Sequence, residues 1–474
     1  MADDMASRAV PSGTAHPLVR LQIFAVGPQS RSTPRVPVSG ILAGLSRCLL
    51  ARCAMSEAVQ IDRTHVPDPY TIPLEQIDLS NGHIFQQGKH WEYFRRLRAE
   101  SPVHYTADSP FGPFWNLTKF KDIMQVDSNY AVFSSEGGIA LGPPVNAPPE
   151  QMLRTPMFIA MDPPKHDLQR ATVQGVVAPR NLAVLEATIR ERAGRILDSL
   201  PRGETFTWVE RVSIELTTQM LATLFDFPFE DRYKLTRWSD VATAAPGAGI
   251  VDSPEQRRAE LMECLAYFTR LWNERVNAEP ASDLISMLAH GEATRNMDPM
   301  EYLGNLILLI VGGNDTTRNS ISGGVLALNQ SPDQYAKLRQ DHGLIPKMIS
   351  EIIRWQTPLA YMRRTALVDA VVGGKTIKAG DKVLMWYASG NRDGDEIEHP
   401  DSFIIDRANP RHHLAFGFGI HRCMGNRLAE MQLRVLWEEI MKRFQFIEVV
   451  GEPVRTLSSF VHGYTHLPVR VHAL

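Results

Sequence analysis

Apolar residues along this chain recur mostly at helical spacing. Over 89–100, Trp91, Phe94 and Leu97 fall on one side of a helix, and further helical patterns cover 181–200, 209–224, 254–277, 299–330, 333–340, 345–356 and 424–444. Strand-like stretches are short. Residues 103–106 and 114–118 predict two strands joined by a turn through Ser109, Pro110, Gly112 and Pro113, and others return within 370–387 and near the carboxyl end. The segment 60–73 reads as extended and Pro-rich, and the Gly- and Pro-rich segment 134–164 predicts a long loop, which in a compact domain usually serves function. No repeat or low-complexity linker divides these elements, so the pattern predicts one large, mainly α domain with minor β structure (α+β) over 55–474.

The segment 299–330 is the best-defined element. Asp298 is placed to cap it, Pro299 suits its first turn, Glu301 is placed for a reciprocal capping contact, and Ser331-Pro332 stops it. At 1.5 Å per residue it would span about 48 Å, enough to cross a domain. Gly312 and Gly313 lie in its middle, each costing about 1 kcal/mol relative to alanine. Such a cost predicts a compensating use at this point of the helix.

Composition narrows the possibilities. The chain has 474 residues, is 44% apolar and carries a net charge of −3, so it can bury a large core and has no overall basic field for nucleic acid or an anionic membrane. Its four cysteines, Cys48, Cys53, Cys264 and Cys423, show neither disulfide nor zinc-site spacing, which predicts a reducing, cytoplasmic location. The longest apolar run, 41–55, is broken by Arg47 and Arg52, so no membrane span is predicted. After Asp3 and Asp4, residues 1–54 carry six arginines and no further acid. Three readings stay open for them: a disordered arm, a transit-like leader, or a false start preceding Met55.

The chemistry concentrates at 416–425, where Phe416, Gly417, Gly419, His421, Cys423 and Gly425 precede an amphipathic helix. A helix amino terminus offers unpaired N–H groups and a favourable dipole, which stabilise a thiolate at Cys423. The glycines let the backbone approach a flat, bulky cofactor. A lone cysteine at a helix start is more often a small buried residue. The combined spacing of Phe416, Gly419, Cys423 and Gly425 reverses that balance, and it is the haem-binding pattern of the cytochrome P450 superfamily, which this chain resembles over nearly everything after residue 60.

The resemblance implies a single triangular haem-binding domain with a long central helix, haem b as cofactor and Cys423 as axial iron ligand. It further implies that Glu351 and Arg354, one helical turn apart, join Arg407 of the 403–407 segment to brace the haem loop. His166, Arg170, His421 and Arg364 (or its neighbour Arg363) match partners of the haem propionates. In 312–317 the motif Gly-Gly-Asn-Asp-Thr-Thr matches the distal helix, where an acid and an alcohol adjoin a distorted turn. There Gly312 admits O2 and substrate, Thr316 hydrogen-bonds activated dioxygen and holds water, and Asp315 relays protons from solvent. The plain alternative is that Asp315 and Thr316 are back-bonded or solvated helix residues. Two costly glycines ahead of them, inside the apolar run 303–311, favour the functional reading.

Within the superfamily, segments 161–180, 312–324, 351–364 and 386–392 resemble the soluble bacterial terminal alkane and fatty-acid hydroxylases. That resemblance implies hydroxylation of the terminal methyl of medium-chain alkanes, fatty acids or related linear apolar substrates. A terminal C–H bond is stronger than its internal neighbour, so selectivity for it needs a narrow apolar funnel. Candidate walls are Ile139, Leu141, Ile310, Val311, Gly312, Leu359, Met362 and Phe460. Absence of a P-loop or GxGxxG after a strand predicts external electrons, for which the family implies a ferredoxin and its FAD-dependent ferredoxin reductase. Arg411, Arg422, Arg427 and Arg434 are candidates for a basic docking face. Two other readings remain: oxidation of a bulkier terpenoid or steroid, and a haem-binding sensor without turnover.

Overall fold

The computed structural model describes residues 63–148 and 152–474. The three readings of residues 1–54 lie outside them. Fourteen α-helices are found among the described residues. The amino-terminal part holds α1 (Gly82–Gln86), α2 (His90–Glu100), α3 (Phe120–Asp127), α4 (Lys165–Gln174), α5 (Pro179–Asp198) and α6 (Glu215–Phe225). Then follow α7 (Tyr233–Thr243), α8 (Pro254–Arg275), α9 (Leu284–His290), the long α10 (Pro299–Gln330), α11 (Pro332–Gln340) and α12 (Ile345–Gln356). The short α13 (Tyr387–Gly390) and α14 (Asn426–Met441) complete the set.

A five-stranded sheet brings distant segments together. Its strands are β1 (Val103–Thr106), β2 (Phe114–Leu117), β3 (Phe133–Ser134), β5 (Met362–Ala366) and β8 (Lys382–Met385), in the order β1-β2-β8-β5-β3. Strand β4 (Phe206–Thr207) instead joins β9 (Phe444–Val449) and β12 (Pro468–Ala473) in a three-stranded sheet ordered β4-β12-β9. Two hairpins, β6 (Ala370–Val372) with β7 (Lys375–Ile377) and β10 (Val454–Arg455) with β11 (Tyr464–His466), complete the β structure.

Most of the predicted helices form within a few residues of their expected ends, and α10 and α12 coincide with the ranges read from the sequence. Six helices were not read from periodicity: α1, α3, α4, α7, α9 and α13. In α7 the buried face includes Thr236 and Ser239 beside Leu235, Trp238 and Val241, so a stripe of apolar residues alone does not mark it. The expected helix 209–224 begins as a π-helical turn, Val209–Ile214, before α6.

Helix α10 runs through the main apolar cluster, packing against α6, α7, α12 and α14. Asp298 caps it as expected, accepting from the Met300 amide at 2.8 Å. Glu301 does not close the reciprocal cap. It instead accepts from Lys165 at 2.9 Å and from Gln169, tying α10 to α4, because an ion pair and a side-chain amide outcompete a backbone contact for one carboxylate. Helix α10 runs unbroken through Gly312 and Gly313. Among the described residues a methyl on Gly312 would meet nothing within 4 Å, whereas one on Gly313 would lie 2.7 Å from Leu221 Cδ2. Gly313 thus lets α6 pack close, and Gly312 borders open space.

Candidate functional site

The expected chemistry falls at two accessible places. One is the α10 face formed by Gly312, which is exposed, and Thr316, which is half-buried. The other is Cys423, exposed in the loop ahead of α14. This thiol has accessible surface yet lies deep among protein atoms, the condition of a group on a cavity wall. Burial pushes the thiol up from its ordinary value, opposed by the backbone amide of Gly425, the charges of Arg170 and Arg422, and the amide of Asn426. Cys264, the other described cysteine, is sealed in the apolar core.

The loop is shaped by its backbone. Gly417 and Gly419 adopt φ of 66° and 65°, the left-handed region that costs L side chains energy. A methyl on Gly419 would lie 2.7 Å from the Asp127 carbonyl oxygen. The Cys423 amide donates to the Phe416 carbonyl at 2.8 Å, closing the loop, while Phe416 packs on the main cluster. Gly425 is the residue just before α14, where a methyl would meet nothing within 4 Å.

Asp127, at the end of α3, was not singled out in the sequence. Its carboxylate accepts from Arg364 at 2.8 Å, from the Tyr387 hydroxyl at 2.7 Å and from the Phe418 amide at 2.8 Å, so one buried acid ties β5, α13 and the cysteine loop together. The expectation that Arg364 reaches a propionate therefore needs amendment: one guanidinium nitrogen is committed to Asp127 and another to the Arg363 carbonyl. Arg363 turns to the 134–164 loop, donating to the carbonyls of Gly137 and Ala140.

Imidazoles and guanidinium groups converge beside the cysteine. The His166 and His421 rings lie 4.3 Å apart, centre to centre. His166 Nδ1 pairs with Asp167 at 2.7 Å, and His421 Nε2 with the Ser135 hydroxyl at 2.9 Å. Their other nitrogens, His166 Nε2 and His421 Nδ1, are buried without a partner among the described residues. Burial, reinforced by Arg364, His166 and Arg170, depresses His421 to about 2. Arg170 donates to the Arg422 carbonyl at 2.6 Å. A buried group left without a hydrogen bond is costly, and clustered cations are costly too. Carboxylates placed among them would relieve both costs.

The brace expected at Glu351 is explicit. Arg354 donates to both its carboxylate oxygens at 2.8 and 2.7 Å, and Arg407 to one at 2.9 Å. Arg354 also reaches the carbonyls of Asn391, Pro400 and Ser402, so α12 fixes the segment leading to the cysteine loop. Asn391 in turn accepts from the Leu414 amide at 2.6 Å.

On the distal helix the acid and the alcohol face different ways. Thr316 Oγ1 donates back to the Gly312 carbonyl at 2.8 Å, while Asp315 is fully buried against α7. Burial raises its carboxyl above the ordinary value, Arg318 opposes this, and Asp240 adds to it.

The candidate substrate walls divide. Leu141 joins a second cluster with Tyr361 and Trp386, and Phe460 packs on it, its ring 5.3 Å from that of Tyr361. The half-buried Leu359 bridges to Val461, while Ile139, Val311 and Met362 are also half-buried. Ile310 is only 1% exposed and belongs to the helical core. Helical geometry puts it on the face away from Gly312 and Thr316, so it is not a wall. Leu308 and Leu309, four and three residues before Gly312, share the face of Gly312 and were missed.

Of the proposed docking arginines, Arg411 is paired with Glu430 at 2.6 Å and Arg434 with Glu186 at 2.9 Å and Glu438 at 2.8 Å. Arg422 and Arg427 remain exposed. No described helix is long and apolar enough to cross a membrane.

A helical domain built around one long helix, with a cysteine loop braced by Glu351 and Arg354, has the form of a haem-thiolate protein. The Cytochrome P450 family model matches residues 255–463. Linalool 8-monooxygenase of Pseudomonas putida is 35% identical over 410 residues, 84% of this chain and 99% of its own. Methyl-branched lipid omega-hydroxylase of Mycobacterium tuberculosis is 32% identical over 388 residues, 79% of this chain and 90% of its own. Among solved structures, CYP153D17 from Sphingomonas sp. PAMC 26605 is 49% identical with a TM-score of 0.79, over 83% of this chain and 98% of its own. The chain belongs to the cytochrome P450 family and is a haem monooxygenase of that type. Members of the family bind haem with a cysteine thiolate on the iron and take electrons from a redox partner. The unpartnered His166 and His421 nitrogens, the surrounding positive charge and the open space at Gly312 and Gly425 fit such a group.

Proposed function

We propose that this protein hydroxylates the terminal methyl of medium-chain alkanes, fatty acids or related linear apolar substrates. The observation that carries this reading is the 49% identity with CYP153D17 over 83% of the chain, which includes segments outside the haem loop. The omega-hydroxylase named among the relatives supports it. We assign Cys423 as the axial ligand, with Phe416, Gly417 and Gly425 shaping its loop. His166, Arg170 and His421 would hold the propionates, with Arg364 supporting from its Asp127 anchor. Glu351, Arg354 and Arg407 keep the loop in place.

The haem, when bound, supplies dioxygen activation. The protein's own part is to present one chain end and to deliver protons. Leu141, Met362 and Phe460 would narrow the approach, while Gly312 leaves room for the terminal carbon beside the Thr316 hydroxyl. Thr316 gives up its bond to the Gly312 carbonyl to hold water or donate a proton, and Asp315 replenishes that proton. Electrons would come from a ferredoxin and its FAD-dependent reductase, in the cytoplasm, with Arg422 and Arg427 on the docking face.

Product analysis tests the reading. Octane and dodecanoic acid should yield 1-octanol and the omega-hydroxy acid; failure to bind or oxidise either would overturn it. The likeness to linalool 8-monooxygenase favours a second reading, a terpenoid substrate, for which linalool turnover in place of octane turnover is the signature.

A further inference from the structure

Helix α7 grips the distal acid through consecutive turns. Asp315 accepts from Ser239 Oγ at 3.1 Å and from Thr243 Oγ1 at 3.3 Å, both on α7, and from Asn314 Nδ2 at 3.2 Å on its own helix. Arg318 donates to the same carboxylate at 2.7 Å through Nη2. Its Nη1 donates at 2.9 Å to Asp240, again on α7. One guanidinium is therefore shared by two carboxylates, one sealed at 0% exposure and the other 30% exposed. Among the described residues Arg318 Nε is buried without a partner, so its position is set by the two acids. Among the described residues, the charged groups facing Asp315 are Arg318 from α10 and Asp240 from α7.

Sharing matters because a one-to-one buried ion pair is hard to break. An acid fully neutralised by its own guanidinium resists taking a proton and resists turning away. A second carboxylate on the same guanidinium weakens each contact. We propose that Asp240 is a positioning residue for proton delivery: by drawing Arg318 toward α7, it keeps Asp315 able to load a proton and turn to Thr316. This rests on the proposed relay role of Asp315. Arg318 stays protonated throughout and carries nothing. The proton comes from water to the Asp315 carboxylate and leaves for the Thr316 site, returning Asp315 to its anionic form. Ser239 and Thr243 receive the carboxylate when it swings back.

The test uses the haem-loaded protein with its electron donors and a substrate it oxidises. In Asp240→Asn, Arg318 falls wholly to Asp315. Coupled turnover should then begin to decline at lower pH on the alkaline side, the solvent deuterium isotope effect should grow, and coupling at neutral pH should fall about tenfold for one unit of displacement. Asp240→Glu should restore all three. A readout independent of turnover is thermal unfolding of Asp240→Asn, Asp315→Asn and the double variant, whose effects should be non-additive because both acids act on Arg318. An unchanged alkaline limb and isotope effect in Asp240→Asn, while Asp315→Asn uncouples, overturns the role of Asp240 alone. Full coupling in Asp315→Asn overturns the relay itself. Additive melting shifts would show that the acids do not share Arg318 and would equally defeat the proposal.

Discussion

Adding one methyl at either of two adjacent glycines should have opposite effects on stability. Both Gly312 and Gly313 lie inside α10, where alanine is favoured over glycine by about 1 kcal/mol. At 312 the new carbon meets nothing within 4 Å, so the gain is retained. At 313 it lies 2.7 Å from Leu221 Cδ2, and Leu221 is only 1% exposed, so it has little room to give way. Overpacking of this kind costs about 1–3 kcal/mol, which cancels or reverses the gain. With an unfolding entropy of about 2.1 cal/mol/K per residue over 474 residues, 1 kcal/mol moves Tm by about 1 °C. Gly312→Ala should therefore melt about 1 °C higher, and Gly313→Ala between unchanged and about 2 °C lower, in calorimetry of the haem-loaded protein at one scan rate. Because Gly312 borders the space beside Thr316, its methyl should also weaken spectral binding of a terpenoid more than that of octane. If Gly313→Ala gained as much stability as Gly312→Ala, the assignment of these two faces of α10 would be wrong.

Other expectations follow from the same contacts. Cys423→Ala should abolish the ferrous-CO absorption of thiolate-bound haem, and an unchanged spectrum would refute the ligand assignment. Thr316→Ala should divert reducing equivalents from product to peroxide, measured as product formed per reductant consumed; full coupling would exclude its role in proton delivery. Glu351→Gln removes the acid that balances two arginines in a site with 0% exposure, which should cost about 3–5 kcal/mol and speed haem loss to apomyoglobin; parent-like retention would show that the brace does not hold the loop. Burial, opposed in part by a hydrogen bond to the Gln356 carbonyl, holds His462 down to about 4 against an ordinary 6.5, so the folded protein keeps it neutral while the unfolded chain takes up protons. Its stabilising effect is present above about pH 6.5 and is lost as pH falls toward 4, about 3 kcal/mol in all. Denaturant titrations of His462→Gln should show a shallower loss over that window, and the parent slope would argue against this source.

Much of the haem side was legible because its chemistry is local. Phe416, Gly419, Cys423 and Gly425 occupy one loop, and Glu351 and Arg354 share one helix face through spacing alone. The ends of α10 were equally local: Asp298 and Pro299 start the helix, and Ser331-Pro332 stops it. What sequence could not decide was direction and partnership between elements. Whether Ile310 or Leu309 faces the open space depends on how α10 is rotated against α6 and α7, which no residue in α10 specifies by itself. Asp127 is an unremarkable acid until β5, α13 and the cysteine loop bring Arg364, Tyr387 and the Phe418 amide to it. Helix α7 went unread because it buries hydroxyls as well as apolar groups, and those hydroxyls find their partners only in the fold, Ser239 at Asp315 and Thr236 at Thr218. Sequence thus fixes capping, turn chemistry and short-range ligand spacing, whose energies depend on neighbours in the chain. Tertiary structure decides which buried charges meet, because that energy exists only once distant segments have excluded water from the same place.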